Sequence, residues 1–177
     1  MSQESQRARM TTPPSVDALR EIGLFGALSD DILEYLQETL PLVVCEAGDV
    51  IFREGDQARE MFVVLGGEVE ILKRARRGTD TRVALLGPGD WFGEMSILDV
   101  QPRSAAVVAL APTRLLRITS EALDAVYRRD MKAYSLIVLN IARELSRRLR
   151  VADGVIADFV ANVIAEYVRP GASKRRI

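Results

Sequence analysis

The sequence predicts a mainly β fold of the sandwich or jelly-roll type, with helices at both ends. Three observations carry this. About eight short strand-like runs, split by Gly, Pro and Asp turns at roughly 8–12-residue spacing, fill the middle of the chain. Two short amphipathic segments precede them. A long helical pattern, apolar on one face, follows them.

In chain order, Met1 to Pro14 is polar, carries two arginines and ends in Pro13-Pro14, so it reads as a flexible arm. Ser15 is placed to cap a first helix with Val16, Leu19 and Ile22 on one face and Gly23 as a stop. Ser29-Asp30-Asp31 opens a second helix, where first-turn acids suit the positive end of the dipole. Its apolar face is Ile32, Leu33, Tyr35, Leu36 and Leu40, and Pro41 ends it. Strands are expected at Leu42–Cys45, Val50–Arg53, Met61–Leu65, Glu68–Lys73, Thr81–Leu86, Ala105–Leu110 and Thr113–Thr119. Arg74 to Asp80 is a charged hairpin tip; its Arg76-Arg77-Gly78-Thr79 matches a basophilic kinase site but is more simply turn chemistry. Gly87-Pro88-Gly89-Asp90 turns the chain into the segment Trp91 to Ala109. Ser120 is expected to cap a third helix through Arg129, closing a domain over residues 15–130.

Residues 131–169 read as one long helix, or a broken one, since Asp153-Gly154 is a weak point: Gly costs up to about 1 kcal/mol in a helix interior. Val138, Ala142, Leu145, Leu149, Ala152, Ile156, Phe159 and Val163 are spaced 4, 3, 4, 3, 4, 3, 4. That is a heptad seam and predicts a homodimer through this helix; a helix laid along its own β-roll is the alternative. Residues 170–177 form a short basic tail.

Composition narrows the function. The 177 residues are 48% hydrophobic and 28% charged with net charge −1, an ordinary globular balance that gives no general pull toward nucleic acid or an anionic membrane. The single Cys45 cannot form an intrachain disulfide, which favours a reducing, cytoplasmic setting. No apolar run approaches the roughly 20 residues that span a bilayer. Histidine is absent, which removes imidazole acid–base chemistry and His metal ligands. No nucleophile–base pairing or metal-ligand spacing stands out, so no enzyme activity, metal or cofactor is expected.

The chemistry concentrates in Trp91 to Ala109, WFGEMSILDVQPRSAAVVA. Gly93 and Glu94 precede the short apolar run Met95 to Leu98, and Arg103 follows Glu94 by nine positions. A helix start offers unpaired N–H groups, and a guanidinium adds a bidentate fork, a combination suited to a phosphate. A carboxylate can only accept hydrogen bonds, so Glu94 suits a sugar hydroxyl. Arg103 is read as facing ligand and not core, so its loss should spare the fold. A buried turn with an internal Glu94–Arg103 pair is the bland alternative.

FGEMSILDVQPRSAAVVA resembles the phosphate-binding cassette of cyclic nucleotide-binding domains, the family that includes bacterial catabolite activators, regulatory subunits of cyclic-AMP-dependent kinase and cyclic-nucleotide-gated channels. Phe92, Gly93, Glu94, Ser96, Ile97, Leu98, Pro102, Arg103, Ser104, Ala105 and Val107 carry the match. The resemblance runs from about Leu19 to Val151 and implies a β-roll flanked by helices. It implies a ligand site of Gly93, Glu94, Met95, Ser96, Ile97, Arg103, Ser104 and Ala105. There Arg103 pairs with the cyclic phosphate, Glu94 accepts the ribose 2′-hydroxyl, and the backbone of Gly93, Ser96 and Ile97 with the Ser104 hydroxyl completes the cradle. By the same resemblance Ala152 and Asp153 fall at the base position, where alanine cannot replace the hydroxyl that catabolite activators place on adenine. The expectation is a cyclic nucleotide sensor, cyclic AMP first and cyclic GMP second, that regulates an unknown partner protein. With about 25 residues after Val151, no helix-turn-helix and no direct DNA binding are expected. A scaffold domain of the same fold without ligand, or a transcription-regulator relative that borrows its DNA-binding part, are the other readings.

Overall fold

The structure, a computed structural model, describes residues 12–75 and 78–168. The expected arm and basic tail, and the Arg76-Arg77 pair of the hairpin tip, lie wholly or mostly outside these residues. The chain divides into two compact units, residues 1–140 and 141–177.

In the first unit, helix α1 (Val16–Arg20) starts where Ser15 Oγ accepts from the Ala18 N–H at 3.2 Å. A 3-10 turn (Gly23–Phe25) and α2 (Asp30–Thr39) follow. The strands are β1 (Leu42–Cys45), β2 (Val50–Phe52), β3 (Glu60–Gly66), β4 (Val69–Arg74), β5 (Asp80–Leu86), β6 (Trp91–Phe92), β7 (Ala106–Ala109) and β8 (Thr113–Thr119). The four-residue helix α3 (Met95–Leu98) separates β6 from β7. After β8 come α4 (Ser120–Arg129) and the start of α5 (Met131–Val168).

Two antiparallel four-stranded sheets form, in the orders β1-β8-β3-β6 and β2-β7-β4-β5. Phe62, Val64, Val69, Phe92, Val107, Ala109 and Leu115 are buried in one core cluster. The alternate residues of β3 and β8, namely Met61, Val63, Leu116 and Ile118, are buried as well. Strands covered on both faces read as continuous apolar runs, which is why Met61 to Leu65 was legible without a period-2 signal. Asn140 Nδ2 donates to Leu24 O (3.1 Å) and Gly26 O (3.2 Å), tying the first turns of α5 to the 3-10 turn.

Two sequence expectations are corrected, and of the two readings left open for the long helix one is observed. Thr119, not Ser120, caps α4: its Oγ1 accepts from the Ala122 N–H at 3.2 Å, while the Ser120 hydroxyl donates to Arg59 O at 3.0 Å. Trp91–Phe92 is a strand of its own, pairing with Val63 and Phe62 of β3. The helix Met131–Val168 passes through Asp153 and Gly154 without a break.

The second unit is the remainder of α5. Along the heptad seam Ala142, Leu149, Ala152, Ile156 and Phe159 are exposed, with Leu149 at 61%, Ile156 at 59% and Phe159 at 67%. Val138, Leu145 and Val163 are half-buried. No helix among the described residues is long and apolar enough to cross a membrane.

Candidate functional site: a buried guanidinium cradle

Arg103 is fixed first by its backbone. Its N–H donates to Asp56 O (2.8 Å) and its carbonyl accepts from the Gly55 N–H (2.9 Å), so the segment after α3 is joined to the turn after β2. That turn is itself closed by Asp56 Oδ2, which accepts from the Arg53 N–H at 2.8 Å.

The side chain then runs inward, and Arg103 is only 3% exposed. Nη1 donates to three acceptors that share its two hydrogens: Glu60 O at 2.7 Å, Gly93 O at 3.0 Å and Ser96 Oγ at 2.9 Å. The Ser96 hydroxyl in turn donates to Gly93 O at 2.9 Å. One face of the guanidinium lies over the Phe52 ring, 3.9 Å from its centroid. Phe52 packs with Phe62 and Phe92 at centroid distances of 6.3 and 5.8 Å, so the cation rests on an aromatic floor. This corrects the expectation that Arg103 faces only ligand: it is also a structural tie between β3, β6 and α3.

Gly93 is the only residue type that fits its position. Its φ is +83°, and a Cβ there would lie 2.5 Å from Arg103 Nη1 and 3.2 Å from Glu60 O. The glycine lets the backbone carbonyl approach the guanidinium.

The opposite edge of Arg103 is different. Nε and Nη2 are buried and make no hydrogen bond. The nearest carboxylate oxygen, Glu60 Oε1, is 3.9 Å from Nη2, beyond hydrogen-bond range. Burial pushes the Arg103 pKa below its ordinary value, opposed by the charges of Glu60, Asp56 and Glu94. A pair of parallel, desolvated N–H donors is the geometry that a tetrahedral oxyanion accepts bidentately.

Of the other predicted site residues, Glu94 is 4% exposed at the start of α3, and its backbone oxygen accepts from the Ile97 (3.0 Å) and Leu98 (3.1 Å) N–H groups. The Ile97 N–H is therefore already engaged within the cassette. Ser96 is buried, Ile97 and Ala105 are half-buried, and Met95 and Ser104 are exposed, with the Ser104 hydroxyl 3.7 Å from Met95 Sδ. Ala152 and Asp153 are exposed on the helix of the second unit. Sequence reasoning missed Phe52, Glu60, Gly55 and Asp56. It also missed Lys73, whose Nζ donates to Glu54 Oε1 (2.6 Å) and Ser104 O (2.5 Å) and so ties β4 to the cassette. Their only sequence signals are polar residues at strand ends and a turn glycine, which occur in any β protein. No group of three or more His, Cys, Asp or Glu among the described residues is placed to hold a metal.

Comparison with known proteins identifies the family and the fold. The pattern of the cyclic nucleotide-binding domain matches residues 42–130. The chain is 40% identical over 131 residues to the cyclic AMP receptor protein of Thermus thermophilus, covering 74% of this chain and 57% of that protein. Among solved structures, a cyclic nucleotide-binding domain from Methylobacillus flagellatus superposes with TM-score 0.72 at 26% identity, covering 81% of this chain and 80% of that one. The Thermus thermophilus catabolite activator protein superposes with TM-score 0.69 at 34% identity, covering 78% and 63%. The chain spans 57% to 62% of the length of the first curated relatives it matches.

Proposed function

The chain belongs to the cyclic nucleotide-binding domain family, and we propose that it is a cyclic nucleotide sensor, a regulatory binding module and not an enzyme. Cyclic AMP is the preferred ligand and cyclic GMP the second. The observation that carries this reading is the buried Nε–Nη2 edge of Arg103, which makes no hydrogen bond inside the protein. Leaving two charged donors unsatisfied costs folding free energy, so such an edge is retained for a ligand.

In this reading the cyclic phosphate lies against the Arg103 edge, and the ribose 2′-hydroxyl donates to the Glu94 carboxylate. The Ser104 hydroxyl and the backbone of the Gly93–Ser96 segment close the cradle. Binding is differential: the ligand shifts a conformational equilibrium only by its unequal affinity for two states, and the output passes to a partner protein. A second copy of the chain covers the exposed seam of α5. Leu149, Ile156 and Phe159 stand out from the helix at heptad spacing, a surface that favours burial against its own like. The preference for cyclic AMP is supported by the 40%-identical relative, a cyclic AMP receptor protein.

Calorimetric titration of the purified chain with cyclic AMP and with cyclic GMP tests the proposal. Saturable binding with cyclic AMP the tighter is expected. Absence of binding to both would overturn the sensor reading and leave a domain that keeps only the fold.

A further inference from the structure

Glu60 is shared between two arginines. Its Oε2 accepts from Arg117 Nε, and its Oε1 lies 3.9 Å from Arg103 Nη2. Strand pairing makes this arrangement possible. Glu60 sits opposite Thr119 in the β3–β8 register, so Arg117, two residues back along β8, is its diagonal neighbour. The three side chains grade from solvent to interior: Arg117 is 44% exposed, Glu60 25% and Arg103 2%.

The carboxylate leans toward the exposed arginine, away from the buried one. Left to itself it would be drawn the other way, because Arg103 presents two buried donors with no partner and their desolvation raises the value of any acceptor. Closing from 3.9 Å to ordinary charge-assisted contact would cap the very edge that an anion needs. We infer that Arg117 is a positioning residue acting through Glu60: by holding the Glu60 carboxylate it keeps the Nε–Nη2 edge of Arg103 open to the ligand's phosphate. This rests on the reading of Arg103 as the phosphate anchor.

The carboxylate is not what orients Arg103. That is done by the backbone oxygen of Glu60, by Gly93 O, by Ser96 Oγ and by the Phe52 ring. Two consequences separate this arrangement from an ordinary surface ion pair. Neutralising Glu60 leaves Arg103 in place and removes a negative charge from beside the phosphate, so binding is kept or tightened. Removing Arg117 releases Glu60 onto Arg103 and weakens binding, but only while Glu60 is charged.

The experiment is a double-mutant cycle with Arg117→Met, which keeps the stem, and Glu60→Gln, which keeps the size. Cyclic AMP is titrated calorimetrically into wild type, both single variants and the double variant. Hydrogen exchange of the Arg103 Nε–H is followed by NMR without nucleotide. Arg117→Met should weaken binding about two- to fivefold, the worth of a partly exposed ion pair. Glu60→Gln should bind at least as tightly as wild type, and the double variant should match Glu60→Gln. In Arg117→Met the Arg103 Nε–H should exchange more slowly than in wild type. An Arg117→Met penalty that persists undiminished in the Glu60→Gln background would overturn the inference. So would a clear loss of affinity in Glu60→Gln alone, or Nε–H exchange that ignores Arg117. If wild type bound no nucleotide, the anchor reading would fail by itself, and the exchange measurement would still decide whether Arg117 restrains Glu60.

Discussion

Arg103→Ala should act twice, on binding and on the fold, and the two effects can be read separately. For binding, the lost edge is the one proposed to hold the phosphate bidentately. Truncating one member of a buried, hydrogen-bonded charge pair costs about 2–5 kcal/mol, or roughly thirtyfold to several thousandfold in affinity. For the fold, the variant deprives Glu60 O and Gly93 O of a charged donor and uncovers the Phe52 ring. Ser96 Oγ keeps its own bond to Gly93 O, so it suffers less. Unsatisfied buried acceptors cost about 1–3 kcal/mol each, and relief from burying a charge offsets part of that, leaving a net loss of about 2–3 kcal/mol. At roughly 2–4 °C per kcal/mol for a chain of this size, Tm should fall by about 4–12 °C. Arg103→Lys is the control: it restores a charge but cannot serve the three acceptors and the open edge together, so it should recover stability before affinity. Thermal melts by circular dichroism and calorimetric titration with cyclic AMP give the two numbers. Affinity within about threefold of wild type would refute the anchor role. Lost affinity with an unchanged Tm would refute the claim that the guanidinium ties β3, β6 and α3 together.

Gly93→Ala should lower both Tm and affinity, because it combines about 1–2 kcal/mol of left-handed backbone strain with a Cβ 2.5 Å from Arg103 Nη1; unchanged melting and binding would contradict the close approach. Glu94→Gln should weaken cyclic AMP while hardly changing a 2′-deoxy analogue, since a charged acceptor is about twice as strong as a neutral one; equal losses for both ligands would make Glu94 structural. Leu145→Glu with Leu149→Glu should give monomers by sedimentation, because it sets like charges opposite each other in the seam at a cost of several kcal/mol. A wild type that sediments as a monomer at tens of micromolar would remove the self-association reading altogether.

What could be read from the sequence follows the distance over which each feature is determined. The cassette was legible because Gly93, Glu94, Ser96, Arg103 and Ser104 fall within one short window. β3 was legible because both faces of Met61 to Val64 are buried, which leaves an unbroken apolar run. β6 was not, because two residues carry no periodicity. The α4 cap was misplaced by one position because Thr119 and Ser120 offer the same hydroxyl chemistry, and only the extended backbone at Thr119, with ψ at 165°, decides between them. The burial of Arg103 was hidden for a deeper reason. Its strongest acceptor, Glu60 O, is 43 residues away, and Phe52 reaches it from a third segment. A spacing argument can say that an arginine and a glycine lie near one ligand. It cannot say that Nη1 of the same arginine is already committed to two backbone carbonyls and a serine hydroxyl, with the Nε–Nη2 edge left over. That edge, and the carboxylate held 3.9 Å from it, depend on the β3–β8 register. A one-residue slip would turn Glu60 to the other face and leave the cassette motif intact but its cation without either constraint.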